Sequence, residues 1–330
     1  MRRPTPNAPR WDGRLGQYEV WYLTLTDGAS GVGVWIRYTM SAPGEAALWF
    51  VATDPRSARA IARKALRPID QFRARAEPFE ERIGDARLTG DTAIGGFDDV
   101  AWDLHWAPSG RGYRHVHPLA ERLGLAQTVL ELPEPDLAID GTLTFAGSRL
   151  ELAGARGAQA HIWGSKHADN WAWVHCNDLL NAGGDPVPGA FVDAVSVSVR
   201  RGGREIGPLT PVVGRFGDRD FCSVSPLRVL ANWSSYSLTG WRFEAIAGGR
   251  KLVAEVDAAR DELVGVTYED PDGDPAYCYN TETASIRLHL YERAPRAGGW
   301  AHAAMLSADG RAHFEYAQRT PVPRMELHLT

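Results

Sequence analysis

The stretch from His161 to Asn177, HIWGSKHADNWAWVHCN, carries three tryptophans, three histidines and two asparagines in seventeen residues. Its second half alternates like a β-strand, in which successive side chains point to opposite faces. One face then holds the large side chains Trp171, Trp173, His175 and Asn177, and the other holds Ala172, Val174 and Cys176. A core packed only for stability favours Val, Ile and Leu. The stretch therefore predicts the lining of a cavity for an apolar ligand with a few polar contacts, the alternative being a Trp-rich core.

The rest of the chain predicts an all-β protein. Short apolar runs alternate with Gly, Asp-Gly and Pro-Asp-Gly turns, which is the spacing of barrels and sandwiches. A chain of 330 residues exceeds the size at which one core usually keeps growing, so two domains are expected. The strongest break in composition is NAGGDPVPG at 181–189. The predicted organisation is a flexible lead-in at 1–16, a β domain at 17–182 and a second β domain at 188–330.

One longer segment is predicted to be helical. Asp54 is a good N-cap, Pro55 suits the first turn, and Pro68 would end the helix. Small and apolar residues recur at helical spacing between them: Ala58, Ile61, Ala62 and Ala65. A shorter helical turn is expected at 119–123, where Pro118 would open it.

The first predicted strand, at about 17–26, contains an acidic residue whose role is open. Glu19 shares a face with Trp21 and Leu23. A buried carboxylate is costly unless it is paired. Glu19 is therefore solvent-exposed, paired with Arg37 on the next predicted strand, or a site residue whose pKa is raised. In the last case its carboxyl is a candidate acid.

Composition and motifs exclude several classes of function. The net charge of −5, without a long run of basic residues, does not predict a nucleic acid or an anionic membrane surface as a partner. The start has no apolar signal region and no run of 18 apolar residues occurs, so a soluble cytoplasmic protein without an integral membrane segment is expected. No Walker loop, complete GxGxxG, GxSxG or HExxH motif occurs, and no cofactor is predicted.

The sequence does not predict a metal site either. The three cysteines are far apart and form no CxxC pair, which argues against structural zinc and against a disulfide framework. His115 and His117 form an H-x-H pair that lacks a third ligand at a recognisable spacing. The acidic run YEDPDGDPAY resembles the start of a calcium loop, but Pro275 and Thr281 stand where Gly and Glu are required, so a turn is the better interpretation.

Two motifs together resemble a known family. Tyr18-Glu19-Val20-Trp21-Tyr22 is similar to the ExWY element of tocopherol cyclase-like proteins, and Trp163-Gly164 followed by the strand at 171–177 is similar to their WG…WxWxxxN element. That group is related to carotenoid 1,2-hydratases, AttH-like proteins and fungal lipocalin-like Diels–Alderases. The chain departs from the family's NWG triplet at His161-Ile162, and His175 stands where the cyclases have Gln.

The resemblance implies two lipocalin-like (calycin-type) antiparallel β-barrel or sandwich domains with one or two short helices. It also implies a pocket for a hydrophobic polyene, prenyl or polyketide-type molecule, which the protein would cyclise or hydrate. The candidate catalytic acids are Glu19, His161 and His175. The candidate ligand-binding residues are Trp21, Tyr22, Trp163, Lys166, His167, Trp171, Trp173 and Asn177.

Acid chemistry on an olefin creates a cation that tryptophan faces can stabilise. Three desolvated cation–π contacts at roughly 2 kcal/mol each would contribute about 10⁴ in rate. Two alternatives remain open at this stage: a non-catalytic carrier of a hydrophobic ligand, and a structural β protein with a Trp-rich core. The sequence does not decide the oligomeric state.

Overall fold

The computed structural model describes residues 5–42, 44–57, 60–294 and 298–330. Within these residues the chain forms two mostly antiparallel sheets, of 12 and 13 strands, and only two short α-helices. The all-β prediction is therefore confirmed. Neither helix in this part of the chain is long and apolar enough to cross a bilayer.

The first sheet is built from the N-terminal half of the chain. Its strands are β1 (Gln17–Thr26), β2 (Gly33–Ala42), β3 (Glu45–Thr53), β4 (Ile61–Pro68), β5 (Phe72–Ala76), β6 (Phe79–Ile83), β7 (Ala86–Thr89), β8 (Thr92–Phe97), β9 (Val100–Trp106), β10 (Tyr113–Arg114), β11 (Thr128–Phe145) and β12 (Ser148–Gly164). Their order is β4-β3-β2-β1-β12-β11-β9-β8-β7-β6-β5, and β10 pairs with β11. A 3₁₀ turn (Ile69–Gln71) precedes β5, and helix α1 (Pro118–Arg122) precedes β11.

The second sheet is built from the C-terminal half of the chain. Its strands are β13 (Asn170–Cys176), β14 (Leu180–Asn181), β15 (Phe191–Arg201), β16 (Arg204–Leu209), β17 (Val212–Phe216), β18 (Arg219–Ser223), β19 (Trp233–Ser237), β20 (Gly240–Ala247), β21 (Arg250–Asp257), β22 (Val264–Glu269), β23 (Pro275–Arg293), β24 (Trp300–Gln318) and β25 (Leu327–Leu329). The main order is β18-β17-β15-β13-β24-β23-β21-β20-β19. Helix α2 (Pro226–Ala231) follows β18, and a second 3₁₀ turn covers Arg260–Glu262.

Three apolar clusters hold these sheets together. One lies within the first sheet and includes Trp21, Phe50 and Trp102, and a second lies within the second sheet. The third cluster joins aromatic residues of both sheets, such as Tyr22 of β1 and Trp173 of β13. The outer faces of the two sheets therefore pack on each other.

Strands β1 and β13 are buried on both faces because they stand between a sheet core and the shared cluster. In β13 the small face, Ala172, Val174 and Cys176, enters the second core, whereas Trp171 and Trp173 enter the shared cluster. The predicted division of this strand into a small face and an aromatic face is therefore confirmed.

The change from one sheet to the other falls between Gly164 and Asn170, where β12 ends and β13 begins. The predicted boundary in 181–189 lies after β13, and the division into domains at 17–182 and 188–330 stays a prediction. Residues near the middle of the predicted lead-in at 1–16 contact the first sheet. The carbonyl of Asn7 accepts a hydrogen bond from Trp21, and Ala8 is buried.

The helix predicted around residues 54–68 is wrong where the structure describes it, because residues 61–68 form strand β4. This strand pairs with β3 along its whole length, from Ala52↔Ile61 to Glu45↔Pro68. Its cations find partners across the sheet: Arg63 binds Asp99, and the ammonium of Lys64 lies 4.3 Å from the Trp49 ring centroid. Pairing with a buried neighbour outweighs helix propensity, which is a weak preference. Residues 58 and 59 of the predicted helix lie outside the described residues.

One carboxyl inside the first sheet is buried without a partner. Glu81 of β6 is fully buried, and neither of its oxygens has a hydrogen-bond partner among the described residues. Burial, and then the charge of Glu19, raises the pKa of Glu81 well above its usual value. The folded protein therefore holds Glu81 in its neutral form at pH values at which the unfolded chain ionises it.

We expect Glu81→Gln to stabilise the protein above about pH 5 and to have little effect near pH 4. A raised pKa in the folded state contributes stability that is fully present below the unfolded pKa of about 4.3 and is lost as the pH rises toward the folded pKa. Glutamine cannot ionise, so the variant escapes that loss. Its melting temperature should exceed that of the wild type by about 3 °C or more at pH 8. An equal difference at pH 4 and pH 8 would contradict this account.

Candidate functional site

A cavity of about 450 Å³ lies between the two sheets, within the size range of small-molecule sites. One wall is apolar and comes from the second sheet and helix α2, with Val195, Val197, Val199, Ile206, Leu209, Val224, Val229 and Leu230. Helix α1 and the residues after it add Ala120 and Leu125. Leu125 and Leu230 of this lining are exposed, so the edge of the cavity carries leucines that face solvent.

The opposite wall is a stack of aromatic rings from both sheets. The Tyr18 and His167 rings are parallel at 4.5 Å between centroids, and His167 stacks in turn on Trp171 at 5.6 Å and on Tyr268 at 5.4 Å. Trp173 continues the wall and contacts Tyr22 edge to face at 5.7 Å. All of these residues line the cavity, which therefore has several π faces available to a ligand.

Glu315 places a carboxyl in this aromatic wall. It lies on β24 directly opposite Trp173 of β13, and its Oε1 accepts a hydrogen bond from the Trp171 indole. Burial raises the pKa of Glu315, although the Trp171 hydrogen bond and the charge of Arg37 act in the opposite direction. A carboxyl with a raised pKa inside an apolar cavity can remain protonated near neutral pH and act as an acid.

Arg37 brings a positive charge to the same cavity. Its side chain is buried, and its guanidinium lies 4.1 Å from the centroid of the Tyr268 ring. Its Nε donates to Thr39 Oγ1 at 3.0 Å. Arg37 forms no ion pair with any residue that the structure describes.

The turn at 270–274 binds the segment that precedes β13. The Asp270 carboxylate accepts hydrogen bonds from the backbone and ring of His167 at 2.9 and 2.6 Å, and from Arg319 at 2.7 Å. These bonds outweigh burial and lower the pKa of Asp270, whereas burial lowers the pKa of His167. Lys166 pairs with Asp272 and Asp274 at 2.6 and 2.5 Å, which raises the pKa of its ammonium.

A buried group of two histidines and one aspartate stands at another part of the cavity. The Asp193 carboxylate lies 2.9 Å from His115 Nε2 and 3.0 Å from His175 Nδ1, and the Trp173 indole donates to it at 3.2 Å. Burial opposes ionisation of Asp193, but the two histidine hydrogen bonds prevail and lower its pKa. An ionised Asp193 fixes the hydrogen of His115 on Nε2, so the Nδ1 of a neutral ring is a base. His115 lines the cavity, and its Nδ1 has no partner among the described residues.

Five of the residues predicted to bind a ligand line this cavity: Tyr22, Lys166, His167, Trp171 and Trp173. The aromatic ones present their rings to it, whereas the ammonium of Lys166 is occupied by its two aspartates. Burial raises the pKa of Tyr22 well above its usual value, so its hydroxyl stays protonated. Their predicted role in binding is kept as a proposal.

Glu19 and His161, two of the predicted acids, do not line the cavity but lie inside the first sheet. Glu19 Oε1 and His161 Nε2 are 2.7 Å apart, and the backbone N–H groups of Arg10 and Trp11 donate to the same carboxylate at 2.6 and 2.9 Å. The other ring nitrogen of His161 donates to the carbonyl of Pro6 at 2.7 Å. This geometry ties residues 6–11 across the end of the first core.

The ion pair considered between Glu19 and Arg37 is wrong. Adjacent positions of a strand point to opposite faces. Glu19 pairs in register with Met40, and Arg37 pairs with Tyr22, so the carboxylate enters the first core while the guanidinium enters the cavity.

Trp21 and Trp163 belong to the environment of the Glu19–His161 pair. Trp21 is fully buried and stacks on the His161 ring at 4.5 Å, and Trp163 contacts the same ring at 4.9 Å. The Arg10 guanidinium lies 4.8 Å from the Trp163 ring. Neither tryptophan lines the cavity.

His175 and Asn177 continue the predicted face of β13 beyond the cavity. His175 is fully buried beside Asp193, and burial lowers the pKa of His175 despite that partner. Asn177 donates to the carbonyl of Gly157 at 2.7 Å and to Asp136 at 3.0 Å, which joins β13 to the first sheet. Asn177 thus supports the contact between the sheets, and His175 supports the Asp193 carboxylate.

The residues that sequence reasoning missed are Glu315, His115 in a base role, and the cavity position of Arg37. Glu315 stands in an alternating strand far along the chain, and only its pairing opposite Trp173 brings it to the site. His115 was considered only as a metal ligand. The signal that could have pointed to Arg37 was its place between two strands that each present an aromatic residue to it, Tyr22 on one side and Trp49 on the other.

No group of three or more His, Cys, Asp or Glu side chains in the described ranges is arranged to hold a metal ion. The His117 ring instead accepts a hydrogen bond from Leu119 at the start of α1. All three cysteines are free thiols, and burial raises the pKa of Cys176 to about 12, so this thiol is not a nucleophile.

Comparison with known proteins supports these observations at the level of fold. No family model matches the chain. The chain is 30% identical over 309 residues to two uncharacterized proteins of Mycobacterium tuberculosis, MT0513 of strain CDC 1551 and Rv0493c of strain H37Rv, and the match covers 89% of this chain and 88% of each relative.

Two solved structures share the architecture. An AttH-like protein (NE1406) from Nitrosomonas europaea matches with a TM-score of 0.58 at 14% identity over 97% of both chains. Kievitone hydratase from Nectria haematococca matches with a TM-score of 0.57 at 10% identity, over 96% of this chain and 92% of its own. These likenesses confirm the lipocalin-like fold that the motif resemblance implies, whereas its tocopherol cyclase part stays a prediction.

Proposed function

We propose that this chain, which belongs to the same protein family as Rv0493c of Mycobacterium tuberculosis, binds a hydrophobic small molecule between its two sheets and adds water across one of its carbon–carbon double bonds. The observation that carries the proposal is the Glu315 carboxyl, held in an aromatic cavity by the Trp171 indole. Hydration of an olefin needs a proton donor, a surface that tolerates a cation, and a base for the water.

Glu315 would supply the proton. Its raised pKa favours the neutral carboxyl, and transfer of that proton to one alkene carbon leaves a carbocation on the other. The Trp171 indole and the Tyr268 hydroxyl donate to the two oxygens of this carboxyl, and Trp173 lies opposite it on β13. Their π faces, within about 6 Å of a cation, would stabilise it by about 2 kcal/mol each when desolvated. The acid would thus stand among the groups that stabilise the product of its own proton transfer.

His115 would complete the addition. As water attacks the cation, its oxygen forms a bond to carbon and one of its protons moves to His115 Nδ1, while Asp193 holds the ring. The products are the alcohol, the Glu315 carboxylate and the His115 imidazolium. Return of one proton from His115 to Glu315 through solvent restores both groups, and the net reaction is alkene plus water giving alcohol.

Hydration is preferred here to cyclisation for two reasons. His115, a residue of the cavity lining, offers a base for the attacking water, and one of the two solved folds is by name a hydratase. Cyclisation uses the same first step but captures the cation with a second double bond or hydroxyl of the substrate. The polyene, prenyl or polyketide nature of the substrate stays a prediction.

The second candidate function is that of a carrier, and the apolar wall of the cavity favours it. A ligand of about 25 heavy atoms at about 0.3 kcal/mol per atom would bind with a micromolar dissociation constant, which suits a carrier and an enzyme alike. The two functions differ in whether Glu315 is needed.

The first experiment is mass spectrometry of an organic extract of the protein purified from its native host, beside an extract of the Trp171→Ala, Trp173→Ala double variant. We expect an unsaturated compound, or its hydrate, with the wild type and not with the folded variant. The compound is then incubated with the protein in H₂¹⁸O, and hydration should add 18 mass units plus the isotope shift. A cyclic isomer without ¹⁸O would favour cyclisation, and an unchanged compound would favour the carrier.

A further inference from the structure

Arg37 is the starting point, because a buried guanidinium without a carboxylate partner is unusual. The side chain is 6% exposed, and its Nε–H reaches Thr39. Its two terminal nitrogens form no hydrogen bond with the described residues, and no described carboxylate pairs with it. An arginine has five N–H donors, so most of its hydrogen-bonding capacity is available within the cavity.

The surroundings of Arg37 do not neutralise it. Three aromatic rings, Trp35, Trp49 and Tyr268, lie 5.7, 5.8 and 4.1 Å from the guanidinium carbon. These contacts orient the group but leave its net charge in place. Glu315 is affected by that charge, yet burial outweighs it and keeps the carboxyl tending toward its neutral form.

The other cations at the cavity already have partners. Lys166 is bound by Asp272 and Asp274, and Arg201 at the edge donates to the carbonyl of Leu125 at 3.0 Å. Just outside the cavity, Arg319 is bound by Asp270. Neither Arg37 nor Arg201 pairs with a carboxylate among the described residues, but Arg201 is exposed, so Arg37 is the buried cavity cation whose charge is left for a ligand.

We propose that the ligand of this cavity is an amphipathic carboxylic acid, whose carboxylate is bound by Arg37 and whose hydrocarbon part lies along the valine and leucine wall. This inference rests on the proposed binding of a hydrophobic molecule in the cavity and names its class. A carboxylate oxygen pair matches the guanidinium fork and can accept two parallel hydrogen bonds.

A carboxylate fits the site better than a phosphate or diphosphate. One buried cation without a carboxylate partner neutralises one negative charge, whereas a phosphate ester carries up to two and a diphosphate more. The cavity residue beside Arg37 that could add a donor is Tyr22, a neutral phenol, because the Tyr18 hydroxyl already donates to Thr128 at 2.7 Å. A bound carboxylate also removes a positive charge from the neighbourhood of the carbocation formed beside Tyr268, so it assists the proposed reaction.

The test uses cis-parinaric acid and its methyl ester, two fluorescent polyenes that differ only in the charged group, with the full-length protein at pH 8. We expect the wild type to bind the acid at least tenfold more tightly than the ester. In Arg37→Met this preference should disappear, with ester affinity changed less than about twofold. Lys64→Met is the matched control, because Lys64 also stacks on Trp49 but does not line the cavity. It should keep the wild-type preference.

Competition with dodecanoate, dodecyl phosphate and dodecanol assigns the head group. Dodecanoate should displace the probe best, and stronger displacement by dodecyl phosphate would overturn the carboxylate assignment. Equal binding of acid and ester by the wild type, or a preference that survives in Arg37→Met, would overturn the role of Arg37. If Arg37→Met does not fold, Arg37→Gln takes its place and should show the same loss.

The binding preference of Arg37→Met tests the carboxylate class independently of the proposed hydration. Loss of the acid preference in Arg37→Met supports the carboxylate class even if Glu315 proves dispensable and the protein is a carrier. Absence of binding by every probe to the folded wild type would overturn both proposals.

Discussion

Glu315→Gln is expected to lower the turnover number by about 10²–10⁴-fold, the usual contribution of a positioned general acid. Glutamine has nearly the same shape, and its side-chain oxygen can still accept the hydrogen bond from the Trp171 indole. It has no acidic proton to give to an olefin. Because the cavity keeps its shape, the dissociation constant for the substrate should change by less than about threefold, and the loss should fall on kcat.

The pH dependence of the wild type gives a second readout for Glu315. The reactive form is the protonated carboxyl, so kcat should fall as the pH rises through the raised pKa of Glu315. The residual activity of Glu315→Gln should lack this fall. A protein in which Glu315 were only structural would show no such difference between the two profiles.

Glu282→Gln is the matched control for this experiment. Glu282 is also buried and lies on the neighbouring strand β23, where it binds His313 at 2.5 Å, but it does not line the cavity. This variant is expected to keep wild-type turnover in its folded fraction. Wild-type turnover by Glu315→Gln, with the substrate bound normally, would remove Glu315 from the mechanism and favour the carrier.

The fold and one wall of the cavity could be predicted from the sequence because strand alternation is a local property. The alternation of residues 170–177 is enough to separate Trp171 and Trp173 from Ala172 and Val174, and the structure keeps that division. The same rule separates Glu19 from Tyr22 in β1.

Alternation alone could not say which face of β1 meets the ligand. Trp21 and Tyr22 are both large aromatic residues, and both are buried, one in the first core and one in the shared cluster. From the sequence, the face of β1 with Glu19 and Trp21 is as good a candidate for the site as the face with Tyr22. Only the packing of the second sheet onto the face with Tyr22 decides between the two faces.

The remaining site residues could not be predicted because long-range pairing brings them together. Glu315 reaches Trp173 across the β13–β24 ladder, and His115 reaches Asp193 between the sheets. A single Glu among alternating residues, or an H-x-H pair before a helical turn, has the same sequence pattern at a binding site and on a solvent-exposed surface. The pattern therefore does not identify a site. The helix predicted at 54–68 is wrong for a related reason, since the pairing partner that makes residues 61–68 a strand is β3.

Glu19→Ala is expected to destabilise the fold by about 3–5 kcal/mol, which is the cost of breaking a buried ion pair from one side. The substitution leaves the His161 ring without its carboxylate and leaves the backbone N–H groups of Arg10 and Trp11 without their acceptor. For a domain of this size the melting temperature should fall by about 10 °C. His161→Ala should have a similar effect, because it also removes the ring that stacks on Trp21.

Thermal and urea unfolding of the two single variants and of Glu19→Ala, His161→Ala together measure how the pair acts. Since both side chains serve one contact, the double variant should be less destabilised than the sum of the single losses, by about 1–3 kcal/mol. The folded fraction of each variant should bind cavity probes as the wild type does, because neither residue lines the cavity. If Glu19→Ala instead keeps its melting temperature but loses turnover, Glu19 of the first sheet is the catalytic acid, as the sequence motif alone suggests.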